Sequence, residues 1–144
     1  MSEIPPFATI QETFSLLNDW EDKYAYLIDL GRKLPAYPDG LLDPAHEVPG
    51  CLAKVWMDYT WQDGTLKMRL TSNADIVKGL LAVLMALYDG QTPEAITEQD
   101  SKARFADLGL AEKMTQNRRD GFVAVANRIR LLAHARLEPS QASV

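Results

Sequence analysis

A single thiol, Cys51, stands in the run Val48-Pro49-Gly50-Cys51-Leu52-Ala53-Lys54-Val55-Trp56. The stretch before it is rich in Pro, Gly and Asp, and the segment after it alternates like a strand. A cysteine kept for packing as a small hydrophobe more naturally sits inside a helix or strand. At a loop-to-strand junction beside a glycine, the sulfur can be presented to a partner. Its thiolate can attack a disulfide or persulfide sulfur, because only the deprotonated form is nucleophilic. The apolar neighbours Val48, Pro49, Leu52, Val55 and Trp56 would shelter a sulfur adduct and raise the resting thiol's pKa. An ammonium from Lys54, if it reaches, favours thiolate. One cysteine excludes an internal disulfide, a CxxC pair and a multi-thiolate zinc or iron–sulfur site within one chain.

Other chemistries find less support. A cysteine hydrolase needs an imidazole base and a group to orient it. Only His46 and His134 are available, one in the same loop and one in a helix. No pair of Cys, His or carboxylate residues shows a metal-ligand spacing, and the eight glycines are scattered at turns rather than gathered into a phosphate loop. Trp20, Trp56 and Trp61 are not interleaved with basic residues, so they read as core or hairpin residues. Arg118 and Arg119 read most simply as the solvated start of the last helix. Cations there oppose the helix macrodipole, which hints that one of them is held for a partner.

The elements that must position Cys51 follow from local signals. Thr9 and Glu12 form a capping-box pattern for a short helix through Phe14 and Leu17. Asn18 or Asp19 caps a second, with Trp20, Tyr24, Leu27 and Ile28 on one face, Gly31 helping to end it and Pro35 stopping it. Residues 35–50 read as a loop, long enough to be functional. Val55, Met57, Tyr59 and Trp61 alternate with Trp56, Asp58 and Thr60. After the turn signal Asp63-Gly64, Leu66, Met68 and Leu70 alternate on the return, predicting a β-hairpin. A two-stranded hairpin needs a third strand or a helix against its apolar face. Asn73 is the expected N-cap of that helix, whose Ile76, Val77, Leu80, Leu81, Leu84 and Tyr88 make it largely buried. Thr92-Pro93, Asp100 and Thr115 open three more helices. The last presents Phe122, Val125, Ile129 and Leu132 to the core, with Arg119, Arg128 and Arg130 opposite. The fold class is therefore α+β, a small antiparallel sheet packed on helices.

At 144 residues the chain reads as one domain, with a core over about 10–137 and a flexible tail over 138–144. A net charge of −5 argues against nucleic acid or an anionic membrane as partner. No basic, apolar leader opens the sequence, no apolar run reaches the ~20 residues of a bilayer span, and a lone unpaired thiol fits a reducing cytoplasm.

The chain resembles the SufE-type sulfur acceptors of iron–sulfur cluster assembly, which include the CsdE proteins. The blocks that carry the likeness run in order from Ile10 to Leu137: Trp20-Glu21-Asp22-Lys23-Tyr24, Leu30-Gly31, Leu34-Pro35, Gly50-Cys51 with Val55-Trp56, Ile76-Val77-Lys78-Gly79-Leu80, Leu108-Gly109-Leu110, and Thr115 through Arg118 with Gly121. The resemblance implies a SufE/IscU-like fold. It also implies a cysteine persulfide on Cys51, taken from a cysteine desulfurase of the SufS or CsdA type and passed to an iron–sulfur scaffold complex. The pyridoxal phosphate belongs to the desulfurase, so no cofactor is expected on this chain. Pro49, Gly50, Asn73, Lys78 and Arg118 match the partner-facing positions. Ala53 replaces a usual serine, Lys54 a common glutamine, Pro49 a frequent glutamine and Asn73 a common aspartate. Dimerisation stays open, as do two other roles: a stand-alone thiol sulfurtransferase and a non-catalytic desulfurase regulator.

Overall fold

The computed structural model describes residues 3–49, 53–110 and 114–138. Two helices come first, α1 (Phe7–Leu16) and α2 (Trp20–Arg32). The loop after them contains two short 3-10 turns, Asp39–Leu41 and Pro44–His46. Then come β1 (Val55–Gln62), β2 (Thr65–Ser72), α3 (Asp75–Tyr88), α4 (Pro93–Glu98), α5 (Ser101–Asp107) and α6 (Gln116–Leu137). This is the expected α+β arrangement, a two-stranded antiparallel sheet packed on helices.

The hairpin forms as the alternation requires, with Val55 opposite Ser72 and Gln62 opposite Thr65. Asp63 and Gly64 both take positive φ (52° and 80°), the backbone of a tight turn whose twist matches that of the strands. Among the described residues no third full strand joins. Beyond β2, the turn after α3 acts as a partial one: Leu66 N–H donates to Gln91 O (2.9 Å), Gly90 N–H to Leu66 O (2.7 Å) and Met68 N–H to Asp89 Oδ1 (2.9 Å). Beyond β1, among the described residues only Glu47 pairs, opposite Trp56, with Val48 N–H donating to Val55 O at 2.8 Å.

Helix α3 is the centre of the core, with ten of its fourteen residues buried. Such a helix, apolar around most of its girth, must be covered on several sides. The apolar face of the hairpin (Val55, Met57, Leu66, Met68, Leu70), α2 through Leu27 and Leu30, α1 through Ile10 and Phe14, and α6 through Phe122, Val125 and Ile129 form one buried cluster with it. Phe105 of α5 stacks on Phe122 at 4.3 Å between ring centroids.

Several helix starts follow their caps. Thr92 accepts from Ala95 N–H, Asp100 from Ala103 N–H and Thr115 from Arg118 N–H. Others correct the sequence reading. Helix α1 begins at Phe7 rather than at a Thr9–Glu12 box. Pro6 precedes it with φ −59°, and its carbonyl accepts from Ile10 N–H, so proline's fixed φ sets the start. Asp19 occupies the N-cap position of α2 without a side-chain bond. Gly31 lies inside α2, where α3 passes so close that a Cβ would stand 2.8 Å from both Gly79 N and Lys78 Cβ. A Cβ on Gly79 would strike the carbonyl of Leu27. Asn73 does not cap α3: Ala74 is the N-cap residue, and Ser72 Oγ accepts its N–H. Arg130 is half-buried rather than on an open face, with its Nε enclosed and without a partner among the described residues. Of the expected tail over 138–144, Glu138 follows α6 as its C-cap residue and 139–144 lie outside the described residues.

Candidate functional site

Cys51 and Gly50 lie outside the described residues, so the site is defined by what flanks them. On the entry side, Val48 is buried and bonded to Val55, while Pro49 is exposed. On the exit side, the backbone of Lys54 is held from three directions. Its N–H donates to Asn73 Oδ1 (3.2 Å), and its carbonyl accepts from Asn73 N–H (3.3 Å) and Ser72 Oγ (2.6 Å). The cysteine segment is thus pinned at both ends to the hairpin and to the entrance of α3. Asn73, expected as a helix cap, spends its side chain on this clamp.

Beside the exit lies a cavity of about 470 Å³ between α3 and the start of α6. Ala53, Val55, Val77, Leu81, Leu84 and Val125 are among the apolar residues lining it; Thr115, Asn117 and Arg118 are its polar residues. Arg118 is half-buried and makes no ion pair within the described residues. A cation over an apolar basin suits a soft, anionic ligand, since the basin excludes water and strengthens the attraction. Gly121, one turn after Asn117, lines the same cavity without side-chain bulk.

Of the sequence candidates, the structure therefore brings Arg118 to the cavity that Ala53 reaches, and Asn73 to the loop's exit. Lys78 goes elsewhere. Its neighbour Val77 lines the main cavity, but Lys78 lines a separate cleft of about 260 Å³ with Gly31, Tyr37 and Asp75. Consecutive helix positions point about 100° apart, and here that offset turns Lys78 toward α2 while Val77 faces α6. Sequence reasoning passes over Ser72 and Asn117. Ser72 ends a strand whose alternation says nothing of its hydroxyl, and Asn117 lines the cavity from the first turn of α6.

Upstream, the ring of His46 donates through Nδ1 to Asp43 Oδ1 at 2.7 Å, and His46 N–H donates to the same oxygen at 3.0 Å. The ring bond holds the Asp43 carboxyl below its ordinary range, with the backbone bond adding to the effect. His46 is thereby committed to shaping the turn before the cysteine segment. Among the described residues there is no group of three or more His, Cys, Asp or Glu that could hold a metal ion, and no helix long and apolar enough to cross a membrane.

A family model described as SufE, Fe-S metabolism associated domain, matches residues 8–133. The chain belongs to the SufE family. Among SufE-related proteins it is 40% identical over 122 residues to the sulfur acceptor protein CsdE of Escherichia coli (strain K12), covering 84% of this chain and 83% of that protein. The fold matches the solution structure of a hypothetical protein from Thermus thermophilus with a TM-score of 0.72. That match covers 90% of this chain and 93% of the other at 22% identity. The SufE likeness therefore extends across both flanks of the cysteine segment and through Arg118.

Proposed function

We propose that this chain is a sulfur acceptor of iron–sulfur metabolism with Cys51 as the carrier. The observation that carries the reading is the 40% identity to a sulfur acceptor protein over 84% of the chain. The pinned loop and the cavity bounded by Ala53 and Arg118 support it.

In the reaction, a pyridoxal-phosphate-dependent cysteine desulfurase presents a persulfide on its own thiol. The Cys51 thiolate attacks the terminal sulfur, a new S–S bond forms on Cys51, and the partner's S–S bond breaks with its thiolate leaving. No oxidant or reductant is consumed, because one persulfide is exchanged for another. Clearing the desulfurase of its persulfide frees it for the next turnover. The acceptor then passes the sulfur to a cluster-assembly scaffold. Residues Pro49, Gly50 and Arg118 face the desulfurase in this reading, with Arg118 attracting the anionic persulfide.

Intact-mass measurement tests this directly. The reduced protein is incubated with cysteine and an active desulfurase, thiols are alkylated, and the Cys51 peptide is weighed. One added sulfur, dependent on both desulfurase and cysteine and absent in Cys51→Ser, is the expected result. An unmodified Cys51 beside several demonstrably active desulfurases would overturn it. Desulfurase stimulation that survives Cys51→Ala would instead mark a non-catalytic regulator, and rapid turnover of a small sulfur donor by this chain alone a stand-alone sulfurtransferase.

A further inference from the structure

The two edges of the hairpin differ in how they are finished. The β2 edge is occupied by Asp89, Gly90 and Gln91, which take up Leu66 and Met68. The β1 edge is occupied only at its start, where Val48 N–H reaches Val55 O and Glu47 pairs with Trp56. That bond shows that the backbone of Val55 points away from β2. By the alternation of an antiparallel strand, the N–H and C=O of Met57, Tyr59 and Trp61 point the same way. Among the described residues no backbone or side-chain group takes up Tyr59 or Trp61 there. Among the described residues, 58–62 thus present an unpaired edge, a template for another extended chain.

This edge lies in a groove of about 590 Å³, lined by Met57 through Trp61 on one side, His46 and Glu47 at one end, and Arg128 and Arg136 of α6 on the other side. Helix α6 runs alongside β1 in the same direction. Arg118 and Phe122, in the first two turns of α6, line a cavity with Val55 at the start of β1, and Arg136 lies 5.6 Å over the Trp61 ring near the end of both. Both arginines are exposed, and neither has a carboxylate within ion-pair distance among the described residues. In a chain of net charge −5, two unpaired cations on one groove wall are conspicuous. Their spacing carries information. Eight helical residues rise about 12 Å, and side chains four apart on one face of an extended strand stand about 13 Å apart.

We propose that the β1 edge docks an extended peptide segment of a partner protein, which adds to the sheet as a strand and places carboxylates four residues apart against Arg128 and Arg136. Backbone pairing at Tyr59 and Trp61 supplies register, and the two arginines select the charge. This surface is separate from the cavity at Ala53 and Arg118, and it does not depend on the chemistry proposed for Cys51.

The test uses the full-length, isotopically labelled protein and two blocked nonapeptides. One reads Thr-Val-Glu-Val-Thr-Val-Glu-Val-Thr, and the other has lysine at both glutamate positions. Saturable binding of the glutamate peptide is expected, at least tenfold tighter than the lysine peptide, with the Tyr59 and Trp61 amides shifting and their hydrogen exchange slowing at least tenfold. Combined Arg128→Glu and Arg136→Glu should reverse the preference. Tyr59→Pro should abolish binding by removing an outward N–H that the hairpin itself does not use; should that variant not fold, the arginine pair decides. No saturable binding at millimolar peptide, binding that maps elsewhere, or indifference to the arginine reversal would overturn the proposal. So would concentration-dependent protection of Tyr59 and Trp61 in the free protein, which would assign the edge to a second copy of the chain.

Discussion

Asn73 holds the exit of the cysteine segment with two atoms, its Oδ1 and its own N–H, both bonded to Lys54. Replacing it with alanine removes the acceptor from an otherwise satisfied amide. Asn73→Ala should cost about 1 kcal/mol and raise hydrogen exchange at the Lys54 amide. Asn73→Asp, which keeps an acceptor oxygen, should leave that amide protected; equal exchange in both variants would refute the clamp. Asp89 makes a different kind of bond, accepting from Met68 N–H at the C-terminal end of α3. Burial raises its pKa above the ordinary value of 3.8, against the lowering effects of the Met68 bond and the Lys67 charge. The folded state therefore binds this proton more tightly than the unfolded chain. The Asp89 contribution to stability falls as pH rises from about 3.8 through the folded-state pKa. Asp89→Asn retains the acceptor without the charge, which also opposed the helix dipole. Thermal melts should show the variant gaining on the parent as pH rises from about 4 to about 7, and a constant difference would exclude the ionisation as the cause.

At the scale of elements, the decisive contact is α2 against α3. Gly79 allows the Leu27 carbonyl to approach, so Gly79→Ala must push two backbones apart and should cost about 3 kcal/mol. Gly64, in the hairpin turn with φ +80° and open space around it, should cost only about 1 kcal/mol on the same substitution, from backbone strain alone. Chemical denaturation of the two variants separates these effects, and equal losses would mean the helix crossing can relax. The contrast also marks what a sequence reveals. The hairpin, α3 and the starts of α4, α5 and α6 are legible because alternation, helical stripes and capping residues are local signals. The role of Gly31 is not, because a glycine near a helix end and a glycine at a helix crossing look alike until the second helix is placed. Asn73 misleads for the same reason, since its true partner lies nineteen positions away. Arg118, singled out by its place among ordered blocks, lines the cavity that Ala53 reaches, whereas Lys78, in an equally familiar block, lines another cleft. The open β1 edge leaves no local trace, because edges are defined by which strands are missing.

For the whole molecule, α3 ties both halves of the chain into one buried cluster, with α1 and α2 from before the cysteine segment and the hairpin and α6 from after it. The connection between those halves runs through residues 50–52, and the α2–α3 crossing, the Val48–Val55 bond and the Glu47–Trp56 pair join them independently of it. The covalent link should therefore be dispensable for assembly. Residues 1–50 and 51–144, produced as two separate polypeptides in one cell, should find each other and co-elute with the helical content of the intact protein. Failure to associate would mean that the continuous chain, not the interface, holds the halves. Success would describe a protein whose proposed reactive residue sits on the seam between two complementing fragments, where the backbone can be opened without dismantling the rest.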